Sequence, residues 1–339
     1  DPASIEAGFF LFGRHPEDYA CWCGVRSLPK LDHRNAELRR RLYGGPDSVI
    51  ARWLAPPYRL DGWRVDVANM TGRYQDVDLT HQIAREIRRT LGETNPDAYL
   101  LAEHAHDATD DLDGDGWHGT MNYAGFTRPV WQWLAEPGVD VDFNHQPGGL
   151  PVLPGTAVAA TVREVTASMS WRAAAASVSL LDSHDTARFR TVVGADPDRV
   201  RVGLGLLATM PGVPLVFAGA EVGQLGVDGE DSRRPFPWDE AAWDRRTYDD
   251  HRDLLALRRA HPALRHGGLR WLHVGADTLV YLRETPQERL LIQASRAAHP
   301  PVPLPAALGP GEPVYGADPF KDAGVLPGSG PAFRVWQLD

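Results

Sequence analysis

The chain has 339 residues, a formal net charge of −10 and two cysteines. Its length exceeds one ordinary domain and predicts two, with enough apolar residues for large cores. The negative charge argues against a nucleic acid or an anionic membrane as partner, and no run of about 18 apolar residues predicts a membrane span. Cys21 and Cys23 are too close in sequence for an ordinary disulfide, which fits a cytoplasmic protein.

Hydrophobic periodicity predicts strands that alternate with helices after a loop-like stretch over residues 1–33. In chain order the predicted elements are a helix over 35–54 interrupted at Gly44-Gly45-Pro46, a strand ending before Asp66, a helix over 78–91 with Gly92 as its C-cap, a strand over 98–102, a strand within 118–124, helices over 126–134 and 156–169, a strand over 173–181, a helix over 198–210, a strand over 213–218 and a helix over 243–259. This alternation predicts an α/β fold with a parallel sheet of five strands. From about Gly267 the texture changes to short strands with Pro and Gly turns, which predicts a small all-β sandwich domain.

Three acidic residues each follow an apolar strand: Asp66, Glu103 and Asp185. Enzymes built on parallel barrels place their sites at this end of the strands. At a strand period of two, Arg64 and Asp66 point the same way, so a cation stands beside a carboxylate and favours its ionised form. Taken alone, an Arg-x-Asp segment is more often a surface ion pair than a catalytic site. The two acidic sites downstream favour the catalytic interpretation.

Five segments in a fixed order resemble glycoside hydrolase family 13, the α-amylase superfamily. They are SLPKLD (27–32), GWRVDVAN (62–69), LLAEH (100–104), LLDSHDT (180–186) and GVPLVFAGAE (212–221). The first of them resembles the domain B motif of the neopullulanase, cyclomaltodextrinase and maltodextrin glucosidase group. Each motif alone is weak, but together they cover nearly the whole chain.

The resemblance implies that the chain is a C-terminal portion of this fold. Residues 1–33 would be the end of a domain B-like excursion, residues 34–265 would supply strands four to eight of a (β/α)8 TIM barrel, and residues 266–339 would form the C-terminal β-sandwich. Five parallel strands left open would expose buried edges. The sequence therefore predicts a partner segment, either upstream or in a separate chain, that carries barrel strands one to three.

The resemblance also implies a role for each site residue in a retaining α-glucoside hydrolase. Asp66 would be the nucleophile, Glu103 the acid/base and Asp185 the carboxylate that stabilises the oxocarbenium-like transition state. Glu103 is expected to lack an adjacent cation and to face another anion, which would raise its pKa toward the working range of an acid. Further predicted substrate-binding residues are Arg64, Asn69, His104, His184 and Arg188. For Arg188 a structural role is an equal alternative.

The predicted substrates are α-1,4-linked malto-oligosaccharides, as for a maltodextrin glucosidase. The alternatives are a cyclomaltodextrinase or neopullulanase, a transglycosylase of the same family, or a non-catalytic carbohydrate-binding relative. The presence of all three carboxylates disfavours the last. Met70, His104 and Ala105 depart from the group's pattern at positions that line the leaving-group subsites, so the preferred aglycone stays open.

Two loops carry further candidates. Asp111, Asp113 and Asp115 match the first half of an EF-hand calcium loop, but Asn122 stands where the bidentate Glu is required, which favours an Asx-turn surface loop over a calcium site. No cofactor is predicted. The segment SRRPFPW (232–238) resembles a loop of the group, in which Arg233 and Trp238 either contact substrate or support the rim of the site.

Overall fold

The structure is a computed structural model that describes residues 1–142, 149–320 and 324–339. The chain divides into two compact units. Unit 1 comprises residues 1–104 and 108–120, and unit 2 comprises residues 105–107 and 121–339. Within the described ranges, no helix is both long and apolar enough to cross a membrane.

Unit 1 contains three helices and five short strands among its described elements. They are α1 (Ala36–Leu42), α2 (Val49–Leu54), β1 (Gly62–Val65), β2 (Arg73–Tyr74), β3 (Val77–Asp78), α3 (Thr80–Thr94), β4 (Tyr99–Ala102) and β5 (Gly119–Thr120). Residues 1–33 form turns and isolated bridges rather than longer elements, as predicted. The predicted break in the first helical stretch is confirmed, because Asn35 caps α1 and Ser48 caps a separate α2.

Helix α3 begins and ends later than predicted. The Asp78 carboxylate accepts a hydrogen bond from the Thr80 amide at its start. The prediction that Gly92 is the C-cap is wrong, since the helix continues through Gly92 to Thr94. The Thr94 hydroxyl bonds back to the Thr90 carbonyl, which satisfies an acceptor in the last turn.

Three parallel strands of unit 1 form one sheet in the order β1-β4-β5. The register pairs Gly62 with Tyr99 and Val65 with Ala102, so β1 and β4 end level with each other. The strands predicted before Asp66 and over 98–102 are therefore confirmed. Side chains that directly follow these two strands leave the sheet at the same edge.

Unit 2 continues the alternation of helices and parallel strands and ends in antiparallel strands. Its described elements are α4 (Arg128–Leu134), α5 (Gly155–Ala167), α6 (Trp171–Ala176), β6 (Val178–Leu180), α7 (Phe189–Val192), α8 (Pro197–Thr209), β7 (Val213–Leu215), α9 (Arg245–Ala260), α10 (Pro262–His266), β8 (Gly268–Val274), β9 (Thr278–Glu284), β10 (Arg289–Ser295), β11 (Val302–Pro303), β12 (Gly311–Tyr315), β13 (Val325–Leu326) and β14 (Ala332–Leu338). Strands β6 and β7 pair in parallel, and Met121 forms a parallel bridge to Val178. Among the described residues, the five predicted parallel strands are present but fall in two sheets, β1-β4-β5 in unit 1 and β6-β7 in unit 2.

The strand predicted over 173–181 is only partly correct. Residues Trp171–Ala176 form helix α6, and β6 spans only Val178–Leu180. The Ser170 hydroxyl caps the helix by accepting from the Ala173 amide, and the alanines that follow have the highest helix propensity of any residue type. Local capping and propensity therefore override the apolar run that resembled a buried strand.

The C-terminal β domain is a five-stranded antiparallel sheet in the order β12-β14-β10-β9-β8, with a two-stranded ribbon of β11 and β13. Val302 and Leu326 of the ribbon share a core cluster with Trp336 and other side chains of the sheet. The sheet also bonds to α8, because the Tyr281 hydroxyl lies 2.7 Å from the Thr209 hydroxyl. The C-terminal sheet and α8 thus lie in the same compact unit.

Candidate active site

Asp66 and Glu103 directly follow the neighbouring strands β1 and β4 of unit 1. The Glu103 amide continues the strand ladder by donating to the Val65 carbonyl at 3.0 Å. The side chain of Asp66 is 72% exposed, whereas that of Glu103 is 14% exposed. The strand register thus places an accessible carboxylate beside an enclosed one at a single sheet edge.

One guanidinium group joins these two carboxylates. Nη1 of Arg64 contacts Oδ1 of Asp66, and Nη2 lies 2.6 Å from Oε1 of Glu103. The expectation that Glu103 has no adjacent cation is therefore wrong, since its neighbour comes from across the sheet and not from its own strand. Guanidinium groups have planar forked donors that suit two carboxylate oxygens at once.

The turn after Asp66 holds the second oxygen of Glu103. Val67 adopts a left-handed conformation with φ 43° and ψ 47°, which is unfavourable for a β-branched residue. Its amide donates to Oε2 of Glu103 at 2.7 Å. Such backbone strain costs on the order of 1–3 kcal/mol and is concentrated at functional sites. Sequence reasoning missed Val67, because valine in a strand-like segment gives no signal for a left-handed turn.

Asn69 and His104 differ in how far the structure supports their predicted role in binding substrate. Asn69 lies in the 3-10 turn Ala68–Met70, three residues after the nucleophile candidate, and is half-buried. His104 is fully buried, and its Nε2 lies 3.4 Å from the Asp111 carboxylate. This burial does not support the prediction that His104 contacts substrate.

The acidic loop after Glu103 is paired with basic side chains rather than arranged around an ion. Arg85 contacts Asp113 at 3.2 Å and Asp115 at 2.5 Å, while Asp111 lies 3.3 Å from the His81 imidazole. Burial raises the pKa of Asp111. Among the residues that the structure describes, no group of three or more His, Cys, Asp or Glu side chains is arranged to hold a metal ion. The calcium alternative for Asp111, Asp113 and Asp115 thus gains no support.

The predicted His-Asp pair of unit 2 follows β6. Nε2 of His184 lies 3.2 Å from Oδ2 of Asp185. The Asp185 amide donates to the Ser183 hydroxyl at 3.1 Å, which in turn accepts from the Tyr123 hydroxyl at 2.9 Å. Both His184 and Asp185 are partly exposed, as groups that meet a substrate must be.

Arg188 is buried, and its guanidinium donates to backbone carbonyl groups. The distances are 2.7 Å to the Ser232 carbonyl and 2.9 Å to the Ala218 carbonyl. Its guanidinium also stacks on the Phe217 ring at 3.8 Å from the centroid. The structural alternative for Arg188 is thus favoured over the prediction that it binds sugar.

Arg233 and Trp238 of the loop over 232–238 have different surroundings. Arg233 contacts the Asp185 carboxylate at 3.1 Å, whereas Trp238 is 84% exposed and packs against Phe236 in a tilted arrangement. The loop is fixed by Trp243, whose indole N–H donates to the Pro237 carbonyl at 2.6 Å, and by Gln224, which donates to the Pro235 carbonyl at 2.8 Å. A rigid loop therefore presents an indole ring to solvent.

The structure thus assembles two groups of predicted site residues. Arg64, Asp66 and Glu103 meet in unit 1, and His184 and Asp185 meet in unit 2. His104 and Arg188 are buried and bound to other protein atoms.

Comparisons with known proteins identify the family of this chain. The profile of the family described as Alpha amylase, catalytic domain, matches residues 11–267. A cyclomaltodextrinase of Bacillus sp is 30% identical over 267 residues, which are 78% of this chain and 43% of that protein. Neopullulanase 2 of Thermoactinomyces vulgaris is 31% identical over 258 residues, 76% of this chain and 39% of that protein. The chain spans less than half the length of these curated relatives.

A solved structure has a similar fold. The protein Ttha1563 from Thermus thermophilus superposes with a TM-score of 0.86 at 25% identity, covering 99% of this chain and 71% of that one. The fold class is therefore a TIM barrel with a β domain, to which the parallel strands and the C-terminal sheet belong. Since the family profile covers more than half of its residues, the chain belongs to the alpha-amylase family of catalytic domains.

Proposed function

We propose that the protein is a retaining α-glucan hydrolase of the cyclomaltodextrinase or neopullulanase kind. The observation that carries the proposal is the Arg64 guanidinium between Asp66 and Glu103 at the ends of two adjacent parallel strands. Two carboxylates that contact one guanidinium are compatible with a retaining pair, whose carboxyl groups stand roughly 5–5.5 Å apart. The names of the relatives favour this kind of enzyme over the maltodextrin glucosidase predicted from sequence.

In the proposed reaction, an Asp66 oxygen attacks the anomeric carbon while Glu103 gives its proton to the departing glycosidic oxygen. The bond from carbon to the leaving oxygen breaks, and a glycosyl ester forms on Asp66. Glu103 then takes a proton from a water molecule, whose oxygen attacks the same carbon and releases the sugar with its original configuration. The exposure of Asp66 suits the nucleophile, and the contacts of Glu103 with Arg64 and the Val67 amide suit the ionised form that takes a proton in the second step.

Asp185 would stabilise the positive charge that develops on the sugar ring, and His184 would bond a sugar hydroxyl. Support comes from the partly exposed carboxylate of Asp185 and from its hydrogen-bonded main chain. These assignments place one anion for covalent attack and another for charge stabilisation, as an oxocarbenium-like transition state requires.

The barrel is proposed to be completed by three further strands from outside the five described here, in an upstream segment or a separate chain. In the described part of the molecule, β1 pairs with β4 alone, so its other edge has no partner strand among the described residues. Val49 and Trp53 on α2 are also exposed. Slow hydrogen exchange of the β1 amides in the protein as isolated from its source would support this pairing, and rapid exchange would contradict it.

A substrate screen tests the proposed function. The purified protein is incubated with cyclodextrins, pullulan, maltotriose and maltose, and the products are identified with their anomeric configuration. We expect hydrolysis of cyclodextrins or pullulan with α-configured products. β-Configured products would refute the retaining mechanism, and a substrate range limited to maltose would favour the narrower glucosidase activity. Transglycosylation would appear as products longer than the substrate.

A further inference from the structure

Arg233 contacts two consecutive residues of the site in unit 2. Its Nη2 lies 3.1 Å from Oδ1 of Asp185, and its Nε donates to the His184 carbonyl at 2.7 Å. Oδ2 of Asp185 lies 3.2 Å from His184 Nε2. Both oxygens of the carboxylate therefore have a partner, and one guanidinium fixes the side chain of Asp185 relative to the main chain of His184.

The segment that carries Arg233 is itself fixed by hydrogen bonds. The Asp231 carboxylate accepts from the Val227 amide at 3.0 Å, and the Asp231 amide donates to the Asp228 carboxylate at 2.8 Å. The buried guanidinium of Arg188 donates to the carbonyl of Ser232, the residue immediately before Arg233. Arg188 thus holds the main chain of the loop immediately before Arg233.

The same loop also packs against the main chain of Asp185. A Cβ atom at Gly229 would lie 3.1–3.2 Å from the Asp185 carbonyl carbon, Cα and carbonyl oxygen, so the two backbones are already in close contact. Glu230 competes weakly for Arg233, since its carboxylate lies 3.6 Å from Nη1 and is highly exposed. Exposed pairs of this kind contribute little because solvent screens them.

We propose that Arg233 is a positioning residue that holds Asp185 in the orientation needed to face the reacting sugar. The inference rests on the proposed function, in which Asp185 stabilises the transition state. A charge that stabilises a transition state is effective when it is oriented before the reaction, and a misplacement of about 1 Å can cost about 10²-fold in rate. Arg233 supplies this orientation without contacting the reacting atoms.

The chain offers a matched control in Arg234, the next residue. Arg234 pairs with Asp231 through both Nε and Nη2, and its exposed side chain points to that partner instead of Asp185. Arg233→Ala and Arg234→Ala remove the same side chain from adjacent positions. Comparing them separates loss of the Asp185 contact from general loosening of the loop.

The kinetic test measures kcat and KM of both variants on the substrate that the wild type cleaves. We expect Arg233→Ala to lower kcat about 10- to 100-fold with a smaller change in KM, and Arg234→Ala to stay within about threefold of the wild type. Added guanidinium is expected to restore part of the lost kcat in Arg233→Ala only. Equal losses in the two variants, or no rescue, would overturn the inference.

A crystal structure of Arg233→Ala separates this inference from the proposed function. If the wild type cleaves no α-glucan, the proposed function fails, but the positioning of Asp185 is still read from the coordinates. We expect the Asp185 carboxylate to rotate away from its wild-type orientation when the guanidinium is removed. An unchanged carboxylate in that crystal structure would overturn the inference even in an active enzyme.

Discussion

Gly62 of β1 packs closely against the main chain of Tyr99 in β4, and replacing it tests how the two carboxylates are aligned. A Cβ atom at this position would lie 2.1 Å from the Tyr99 carbonyl oxygen. Real Cβ atoms essentially never come within 3.0 Å of such a neighbour, so Gly62→Ala requires the strands to shift by about 1 Å. Since Asp66 and Glu103 directly follow these strands, the shift changes the relative positions of their carboxylates.

Gly62→Ala should lower both the free energy of unfolding and kcat/KM. Overpacking of this kind costs about 1–3 kcal/mol in the free energy of unfolding, and a displacement of about 1 Å at a catalytic pair costs about 10²-fold in kcat/KM. Urea unfolding, followed by circular dichroism, gives the first quantity, and initial rates on the cleaved α-glucan give the second. We expect both to fall together.

Gly92→Ala is the matched control, because Gly92 lies inside α3 and a Cβ there would meet no atom within 4 Å. Alanine in an exposed helix stabilises by about 0.5–1 kcal/mol relative to glycine. The urea midpoint of Gly92→Ala should therefore rise with unchanged activity. The reasoning is refuted if Gly62→Ala keeps wild-type stability and activity, or if Gly92→Ala loses as much.

Three further predictions concern the acid, a buried histidine and the exposed indole. Glu103→Gln should lower the rate on the α-glucan that the wild type cleaves by about 10²–10⁴-fold but much less on a nitrophenyl α-glucoside, whose leaving group needs no proton; equal losses would count against Glu103 as the acid. Burial lowers the pKa of His33 to about 4, so the unfolded chain, with a histidine pKa near 6.5, binds the proton first. The free energy of unfolding of the wild type should thus decrease as the pH is lowered from about 6.5 to about 4. The same decrease in His33→Phe would exclude His33 as its cause. Trp238→Ala should raise KM for pullulan about 2- to 10-fold, because the exposed indole ring can stack on a sugar. Trp171→Ala, at another exposed tryptophan, should leave KM for pullulan unchanged. Identical KM values for the two variants would show that Trp238 only supports the rim of the site.

The strand ends and their carboxylates could be predicted because both depend on local sequence. A short apolar run followed by an acidic residue locates Asp66 and Glu103, and family motifs give their roles. The contact of Arg64 with Glu103 depends on the register of β1 with β4, which hydrophobic periodicity does not specify. The residues next to Glu103 in sequence therefore could not predict its contact with Arg64 of the adjacent strand.

Other differences between the predicted and the observed positions of side chains arise where tertiary packing decides the position. His104 is polar and adjoins the acid, yet it is buried against Asp111. Arg188 has the charge of a sugar ligand but bonds to the backbone carbonyls of its own unit. The αL conformation of Val67 opposes the preference of valine, so it could not be predicted from local propensity.

The central claim is that Asp66 forms a covalent bond to the sugar, and trapping that bond tests it most directly. A fluorinated α-glucosyl fluoride, which forms the glycosyl ester but hydrolyses it slowly, is added to the protein, and the labelled peptide is identified by mass spectrometry. The account predicts one added sugar on the peptide that contains Asp66 and none in Asp66→Asn, which should also lose kcat by several orders of magnitude while remaining folded. A label on another carboxylate, or an Asp66→Asn protein that still turns over substrate, would contradict it.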